Sequence, residues 1–231
     1  MPDSDGYKPM MSPERARSLR RWHDVAYENL RASLPTRISL LGLDLYVTED
    51  VFAPSHGGGF QEAVVAEVKP TDRVLDMGTG SGVNAILAAA VSSDVLAVDV
   101  NPKAVDCAIA NADRNGVSSR ITFFQSDVFE AVDGAFDLIV FDPPFRWFAP
   151  RDLLEVSTAD ENYRALTKFM REAKDHLRPG GRILLNFGTS GDIDFLHSLV
   201  DAAGFRKEIF PYGQATRDGL TVDYYTLRLS L

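Results

Sequence analysis

With 33 acidic and 24 basic side chains among 231 residues, the chain carries a net charge of −9, which opposes non-specific binding to a phosphate backbone. Its 45% hydrophobic and 25% charged residues are the composition of a globular protein, without repeats or low-complexity tracts. No apolar run approaches the roughly 20 residues of a membrane span, and the single Cys107 excludes an internal disulfide and a cysteine-based zinc site.

The N-terminus, MPDSDGYKPMMSPERARS, lacks the apolar core of a secretion signal, so a cytoplasmic setting with no membrane and no metal is expected. The length suits one α/β domain with an extension, divided here into an N-terminal helix and hairpin over 1–52 and a main domain over 53–231. Ser12-Pro13-Glu14 reads as an N-cap followed by proline at the first helical position, which predicts a helix from Pro13 to Leu34, stopped by Pro35. Residues 1–37 hold seven Lys/Arg and five Asp/Glu, a net of +2 that leaves −11 for the rest. Arg15, Arg17, Arg20 and Arg21 cluster on that helix, either as a solvated face or as a grip on an acidic ligand.

Residues 38–53, ISLLGLDLYVTEDVFA, alternate around Gly42 to Asp44 as a short hairpin would. A flexible loop, Pro54-Ser55-His56-Gly57-Gly58-Gly59, then leads to a helix over Phe60 to Val68. From Arg73 the pattern becomes regular. Strands RVLDMG, DVLAVDV, RITFFQSD, FDLIVFD and RILLNFG are separated by the helical stretches SGVNAILAAAVS, PKAVDCAIANADRNG and DENYRALTKFMREAKDHL. In the last of these Tyr163, Leu166, Met170, Ala173 and Leu177 form one apolar stripe. Such alternation of short apolar strands with helices predicts a parallel sheet covered on both faces. After the helix DIDFLHSLVDAAG, the strands FRKEIFPYG and VDYYTLRLSL are joined by a turn at Arg217-Asp218-Gly219. A turn that short joins only antiparallel strands, so the sheet ends with one antiparallel strand.

Chemistry-bearing residues fall at the carboxyl ends of these strands. Asp76-Met77-Gly78-Thr79-Gly80-Ser81-Gly82 ends the first strand and opens a helix, with glycines that permit positive φ and close approach of a ligand. The spacing Gly-x-Gly-x-Gly differs from that of dinucleotide sites. Asp76 would repel a pyrophosphate and attract a cationic ligand, which argues against a nicotinamide oxidoreductase. Asp99 closes the second strand, where an acid can accept both hydroxyls of a ribose, and Asp127 closes the third, where a carboxylate can accept from an adenine amino group. Each acid alone could be a helix cap or a strand terminator; together they share one rim of the sheet.

VLDMGTGSG, AVDVNPKAV, QSDVF and FDPPF resemble the successive signatures of class I S-adenosylmethionine-dependent methyltransferases, over roughly residues 50–210. The resemblance implies a Rossmann-like seven-stranded sheet, mostly parallel with its last strand antiparallel, and S-adenosyl-L-methionine as cofactor. It implies that Asp76, Gly78, Thr79, Gly80 and Gly82 face the methionine portion, Asp99 with Val100 the ribose, and Asp127 with Val128 the adenine, with Asp142 beside them.

The stretch LIVFDPPFRWF, Leu138 to Phe148, ends a strand at Pro143, which cannot donate a ladder hydrogen bond. Asp142, Pro143, Pro144 and Phe145 match the (Asn/Asp)-Pro-Pro-(Tyr/Phe) signature of amino-group methyltransferases, closest to the small-domain and release-factor glutamine group. The glutamine enzymes usually carry Asn and Tyr where this chain has Asp142 and Phe145. An amide nitrogen is a poor nucleophile because its lone pair is delocalised. A direction-locked backbone carbonyl and the Asp142 carboxylate can accept its N–H groups and stabilise growing positive charge, while Phe145 stacks on a flat acceptor. Arg146, Trp147 and Phe148 form either a hydrophobic lip or a wall of the acceptor pocket, and His56 and Phe60 are further candidates for the substrate side.

The expected activity is therefore N-methylation of an amino or amide group on a protein or small molecule. A nucleic-acid base amine is the alternative that the acidity disfavours, and a non-catalytic module of the same fold is the other.

Overall fold

The computed structural model describes residues 7–54, 59–217 and 220–231. Helix α1 (Pro13–Ala32) begins at the expected cap, where Ser12 Oγ accepts from the Arg15 N–H at 3.2 Å. Strands β1 (Thr36–Leu40) and β2 (Leu43–Val47) pair as an antiparallel hairpin. There follow α2 (Gly59–Glu67), β3 (Arg73–Met77), α3 (Val83–Ala89), β4 (Asp94–Asp99), α4 (Pro102–Arg114), β5 (Ile121–Gln125), β6 (Phe136–Phe141), α5 (Arg164–Glu172), β7 (Leu177–Gly188), α6 (Ile193–Ala203), β8 (Arg206–Arg217) and β9 (Leu220–Ser230).

The main sheet has seven strands in the order β5-β4-β3-β6-β7-β9-β8. Strands β3 to β7 run parallel, and β9 inserts antiparallel between β7 and β8. The chain moves outward from β3 to β5 and then returns to β6 on the other side of β3. The carboxyl ends of β3 and β6 therefore flank a topological switch point, where the diverging connections leave a crevice. Residues 218 and 219 of the expected turn lie outside the described residues, and Arg217 pairs with Leu220 across it. Pro211 is accommodated because β8 is an edge strand, and the register shifts there.

Alternate side chains of each buried strand feed opposite faces. Leu75 and Met77 join α5 and α6 in one core, with Phe169, Met170, Leu196 and Leu199; Val74 joins α3 and α4 in the other, with Ile86 and Ala112. The hairpin is part of the second core through Ile38, Leu40, Leu45 and Val47. Helix α4 holds it by its side chains: Asn111 Oδ1 accepts from the Tyr46 N–H at 2.8 Å while Nδ2 donates to the Tyr46 carbonyl at 3.1 Å. Cys107 is buried in α4, its thiol 3.3 Å from the same carbonyl.

The helix expected over residues 160–177 is interrupted. Asn162 and Tyr163 both take φ of 54°, a short 3-10 turn precedes α5, and another follows it at Ala173–His176. The cause is Asp160, whose two carboxylate oxygens accept the Ala165 and Leu166 N–H groups at 3.0 Å each, so that the helix starts only at Arg164. The resulting kink turns Tyr163 fully into the core.

Across the opposite end of the sheet, Arg182 of β7 is 4% exposed and fully bonded. It donates to Glu67 Oε1 at 2.6 Å, to Asp72 Oδ2 at 2.8 Å and to the Asp137 carbonyl at 2.9 Å. Among the described residues no helix is long and apolar enough to cross a membrane. Arg182→Ala leaves Asp72, 5% exposed, as an unpaired buried charge and is expected to cost about 3–5 kcal/mol of stability. Arg228→Ala removes a half-buried guanidinium from the same Glu67 and is expected to cost no more than about 1 kcal/mol. Urea unfolding of the two variants measures the contrast.

Candidate functional site

Strand β3 carries Asp76 one residue before its end, facing into the fold. Oδ2 accepts from Thr79 Oγ1 at 2.7 Å and from the Ala85 N–H at 3.1 Å, so the carboxylate ties the glycine loop to the first turn of α3. Oδ1 is buried with no hydrogen-bond partner. Burial pushes the Asp76 pKa up to about 7 against those two bonds. The loop itself needs glycine in particular places. Gly82 has φ of 86°, and a Cβ there would sit 3.0 Å from Ala108 of α4. Gly80 has φ of 54° and open space where a Cβ would be, so the loop backbone faces a void rather than packed atoms.

The next strand supplies the second anchor. Asp99 Oδ2 accepts the Gly80 N–H and Oδ1 the Asn101 N–H, both at 2.9 Å. Burial raises its pKa. Each oxygen keeps a lone pair free for a further donor. Asn101 caps α4 by accepting from the Lys103 N–H, so the capping role that Asp99 could have had belongs to its neighbour. Asp127 follows β5 and is 38% exposed, with Lys168 Nζ 3.8 Å from its carboxylate. Val128 is buried with φ of 54°, a strained backbone for a β-branched residue, held by Ser126 Oγ donating to its carbonyl at 2.8 Å.

The third anchor is the end of β6. Pro143 stops the ladder, and Asn186 at the end of β7 donates its Nδ2 to Asp142 Oδ1 at 2.8 Å. Burial pushes Asp142 up to about 6, opposed by that bond. Phe145 packs on Phe187 at 5.1 Å between ring centres, and its carbonyl accepts from the Tyr163 hydroxyl at 2.6 Å. The same hydroxyl accepts the Asp192 N–H at 2.7 Å. Asp192 caps α6 and receives the Tyr7 hydroxyl at 2.8 Å and the Met10 N–H at 2.6 Å. Behind the loop stands Gly191, where a Cβ would lie 2.2 Å from the Phe145 carbonyl oxygen.

These anchors open on one cavity of about 820 Å³, within the range of small-molecule sites. Gly78, Thr79, Gly80, Asp99, Val100, Asp127, Val128, Asp142, Pro144 and Phe145 line it. Asp76, Gly82 and Pro143 stand behind its wall as supports for the lining loops. Three of the sequence candidates lie elsewhere. Phe60 is 1% exposed in the core under α3, because α2 buries its apolar face. Trp147 packs between Phe148 and the rings of Tyr7 and Tyr163. Phe148 packs at a tilt against His23, 5.2 Å between ring centres, beneath the Arg20 guanidinium. They are packing residues, and the burial of large rings decides their placement. His56 lies outside the described residues.

Sequence reasoning missed much of the acceptor side. Asn186 was legible as a lone polar residue in the apolar run RILLNFG. Trp22, His23 and Tyr27 of α1 form part of the wall, as do residues 156–159, and no sequence spacing announces either. His23 Nε2 lies 2.7 Å from Glu155 Oε1, both 1% exposed, which locks α1 to that segment. Arg151 holds the same carboxylate at 2.8 Å and, with its backbone N–H and His23, keeps Glu155 at about 2 despite burial. Arg20 is spent on Phe148 and Arg17 on Glu14, so the basic cluster of α1 is partly committed within the chain.

The open sheet and the cavity over its switch point are those of a Rossmann-like methyltransferase fold. A methyltransferase from Pyrococcus furiosus superimposes with a TM-score of 0.63 over 92% of this chain and 98% of its own, at 19% identity. The chain belongs to the methyltransferase small domain family, whose model matches residues 60–190. A release factor glutamine methyltransferase of Cereibacter sphaeroides is 36% identical over 177 residues, 70% of this chain and 62% of its own length. A candidate protein N5-glutamine methyltransferase of Methanocaldococcus jannaschii is 30% identical over 180 residues, 74% of this chain and 89% of its own. The chain thus spans about three fifths of the first of these relatives.

Asp76 links site and stability. A carboxyl whose folded pKa lies near 7, above its unfolded value, is protonated in both states below about pH 4. Between about pH 4 and 7 the unfolded chain ionises while the fold retains the proton, so stability falls through that window. Asp76→Asn removes this loss. Its stability relative to the unmutated chain is expected to rise by about 3 kcal/mol between about pH 5 and pH 8, with a matching rise in melting temperature. Thermal unfolding at the two pH values measures it.

Proposed function

We propose that this chain is an S-adenosylmethionine-dependent N-methyltransferase acting on an amide or amino nitrogen of a protein or small molecule, with the glutamine side-chain amide as the leading acceptor. The observation that carries this reading is the continuity of one cavity from the glycine loop and Asp99 to Asp142 and Phe145. The residues fit the cofactor. An unpartnered buried Asp76 oxygen suits a cationic amino group behind the loop, and the free lone pairs of Asp99 suit vicinal ribose hydroxyls. Asp127 and Val128 are assigned to the adenine side and Val100, with Asp99, to the ribose side of the same lining.

When bound, S-adenosylmethionine supplies a methyl group on a cationic sulfur, ready for in-line displacement. This chain's own residues then have to prepare the nitrogen. Asn186 occupies Asp142 Oδ1 and turns the carboxylate, leaving Oδ2 to accept an acceptor N–H. Pro143 and Pro144 lock the directions of the neighbouring carbonyls, so a second N–H meets a fixed acceptor. Two such bonds favour a pyramidal nitrogen whose lone pair is free. Above about pH 6 the Asp142 carboxylate is ionised and stabilises positive charge on that nitrogen. Residues 1–52, assigned as an extension to the main domain over 53–231, contribute the α1 wall on the acceptor side.

The test is transfer of labelled methyl groups to fractionated cell extract, paired with calorimetry of S-adenosylhomocysteine. Asp142→Ala is expected to lose turnover by about 100-fold with cofactor affinity intact, and Asp99→Ala to weaken cofactor binding by about 10-fold or more. Turnover of the unmutated chain should rise through about pH 6 and level off, and Asp142→Asn should flatten that rise. Equal affinity loss in the Asp142 and Asp99 variants, or no labelled product, overturns the assignment.

A further inference from the structure

Arg146 follows directly on the Asp142–Phe145 loop, and its guanidinium is drawn into the cavity wall. It lies 5.0 Å over the Trp22 ring, and Nη1 reaches the Thr158 carbonyl at 3.3 Å. Nε is buried with no hydrogen-bond partner. Two other arginines turned toward buried carboxylates each hold one, Arg151 with Glu155 and Arg182 with Asp72, both at 2.8 Å. Among the described residues no carboxylate pairs with Arg146. Of the carboxylates near it in the lining, Asp142 is held at Oδ1 by Asn186, Asp160 spends both oxygens on α5, and Glu161 makes no ion pair with it. Burial lowers the Arg146 pKa to about 10, which leaves it charged at neutral pH.

A charge taken out of water without a counter-ion is unfavourable, and a planar guanidinium with donors to spare matches a carboxylate in two parallel bonds. We propose that Arg146 is a specificity-determining residue that binds a carboxylate of the methyl acceptor, so that the preferred acceptor is an anionic amide or amine. This rests on the proposed methyl-transfer reading of the cavity and narrows its substrate class. A carboxylate fits better than a phosphate dianion, because Asp99, Asp127, Asp142 and Asp160 line the same cavity and repel added negative charge. The carboxylate can be the α-carboxylate of a free amino acid or an acidic side chain beside the acceptor in a peptide.

The experiment is calorimetry on the full chain saturated with S-adenosylhomocysteine, with three probes. N-acetylglutamine carries an α-carboxylate. An N-acetylated glutaminyl-glutamate dipeptide, amidated at its C-terminus, carries a side-chain one. N-acetylglutamine methylamide carries none. At least one carboxylate probe is expected to bind about 10- to 100-fold tighter than the neutral one. Which of the two it is distinguishes a small-molecule acceptor from a peptide. Arg146→Met should abolish that preference while leaving the affinities of the neutral probe and of S-adenosylhomocysteine unchanged, and Arg146→Lys should restore part of it. Equal binding of all three probes, binding of none, or a preference that survives Arg146→Met overturns the proposal. Failure of S-adenosylhomocysteine to bind is a different result, which removes the underlying reading as well.

Discussion

The acceptor loop depends on one hydroxyl group. Tyr163 donates to the Phe145 carbonyl and accepts from the Asp192 N–H, so a single buried oxygen joins the end of β6, the start of α5 and the cap of α6. Placing it there requires two consecutive residues, Asn162 and Tyr163, in left-handed backbone. Each such residue costs on the order of 1 kcal/mol. The cost is offset by the double cap that Asp160 gives α5 and by full burial of the Tyr163 ring among Phe187, Phe195 and Trp147. The strain lies behind the loop it serves. The loop is tied further by the Asp160 N–H to the Arg146 carbonyl at 2.7 Å and the Asn162 N–H to the Trp147 carbonyl at 3.0 Å.

A second constraint acts on the carboxylates. Asp76, Asp99 and Asp142 all sit where burial disfavours their charge, and all three have raised pKa values. A core built for stability alone would have apolar residues at these positions. Their bonding is graded instead. Asp99 accepts two backbone N–H groups on separate oxygens, Asp76 leaves one oxygen without a donor, and Asp142 has one donor, a side-chain amide. The fold itself carries the desolvation penalty of these carboxylates.

Most of the sheet was legible because its strands are buried on both faces and read as continuous apolar runs closed by Asp, Gly or Pro. RVLDMG, DVLAVDV and FDLIVFD are plain cases, and Asp76, Asp99 and Asp142 were visible as acids at their ends. The cap at Ser12 marked a helix start through local chemistry. The break at Asn162 was hidden because the apolar stripe from Tyr163 to Leu177 keeps helical spacing through it. Only the tertiary pull on Tyr163 and the long-range cap by Asp160 override that local signal. Phe60, Trp147 and Phe148 misled for the opposite reason. A large ring near a loop motif looks like a pocket wall, yet burial against neighbouring rings is the stronger demand.

The wall from α1 was invisible for a deeper reason. Nothing in the spacing of Trp22, His23 and Tyr27 distinguishes a face packed on a core from a face that closes a cavity. The distinction comes from Glu155, over a hundred residues away, which meets His23 at 2.7 Å and is itself held by Arg151. Because Glu155 stays ionised at about 2, it accepts from His23 Nε2, and this sets which ring nitrogen carries the proton. Burial first, and then the nearby Arg146 guanidinium, lower the His23 pKa, so a neutral imidazole is favoured. Arg164 also lines the cavity, so a neutral His23 leaves the positive charge of the described lining to the two arginines. Asp142 and Arg146, close in sequence, place a carboxyl group and a guanidinium on the same lining.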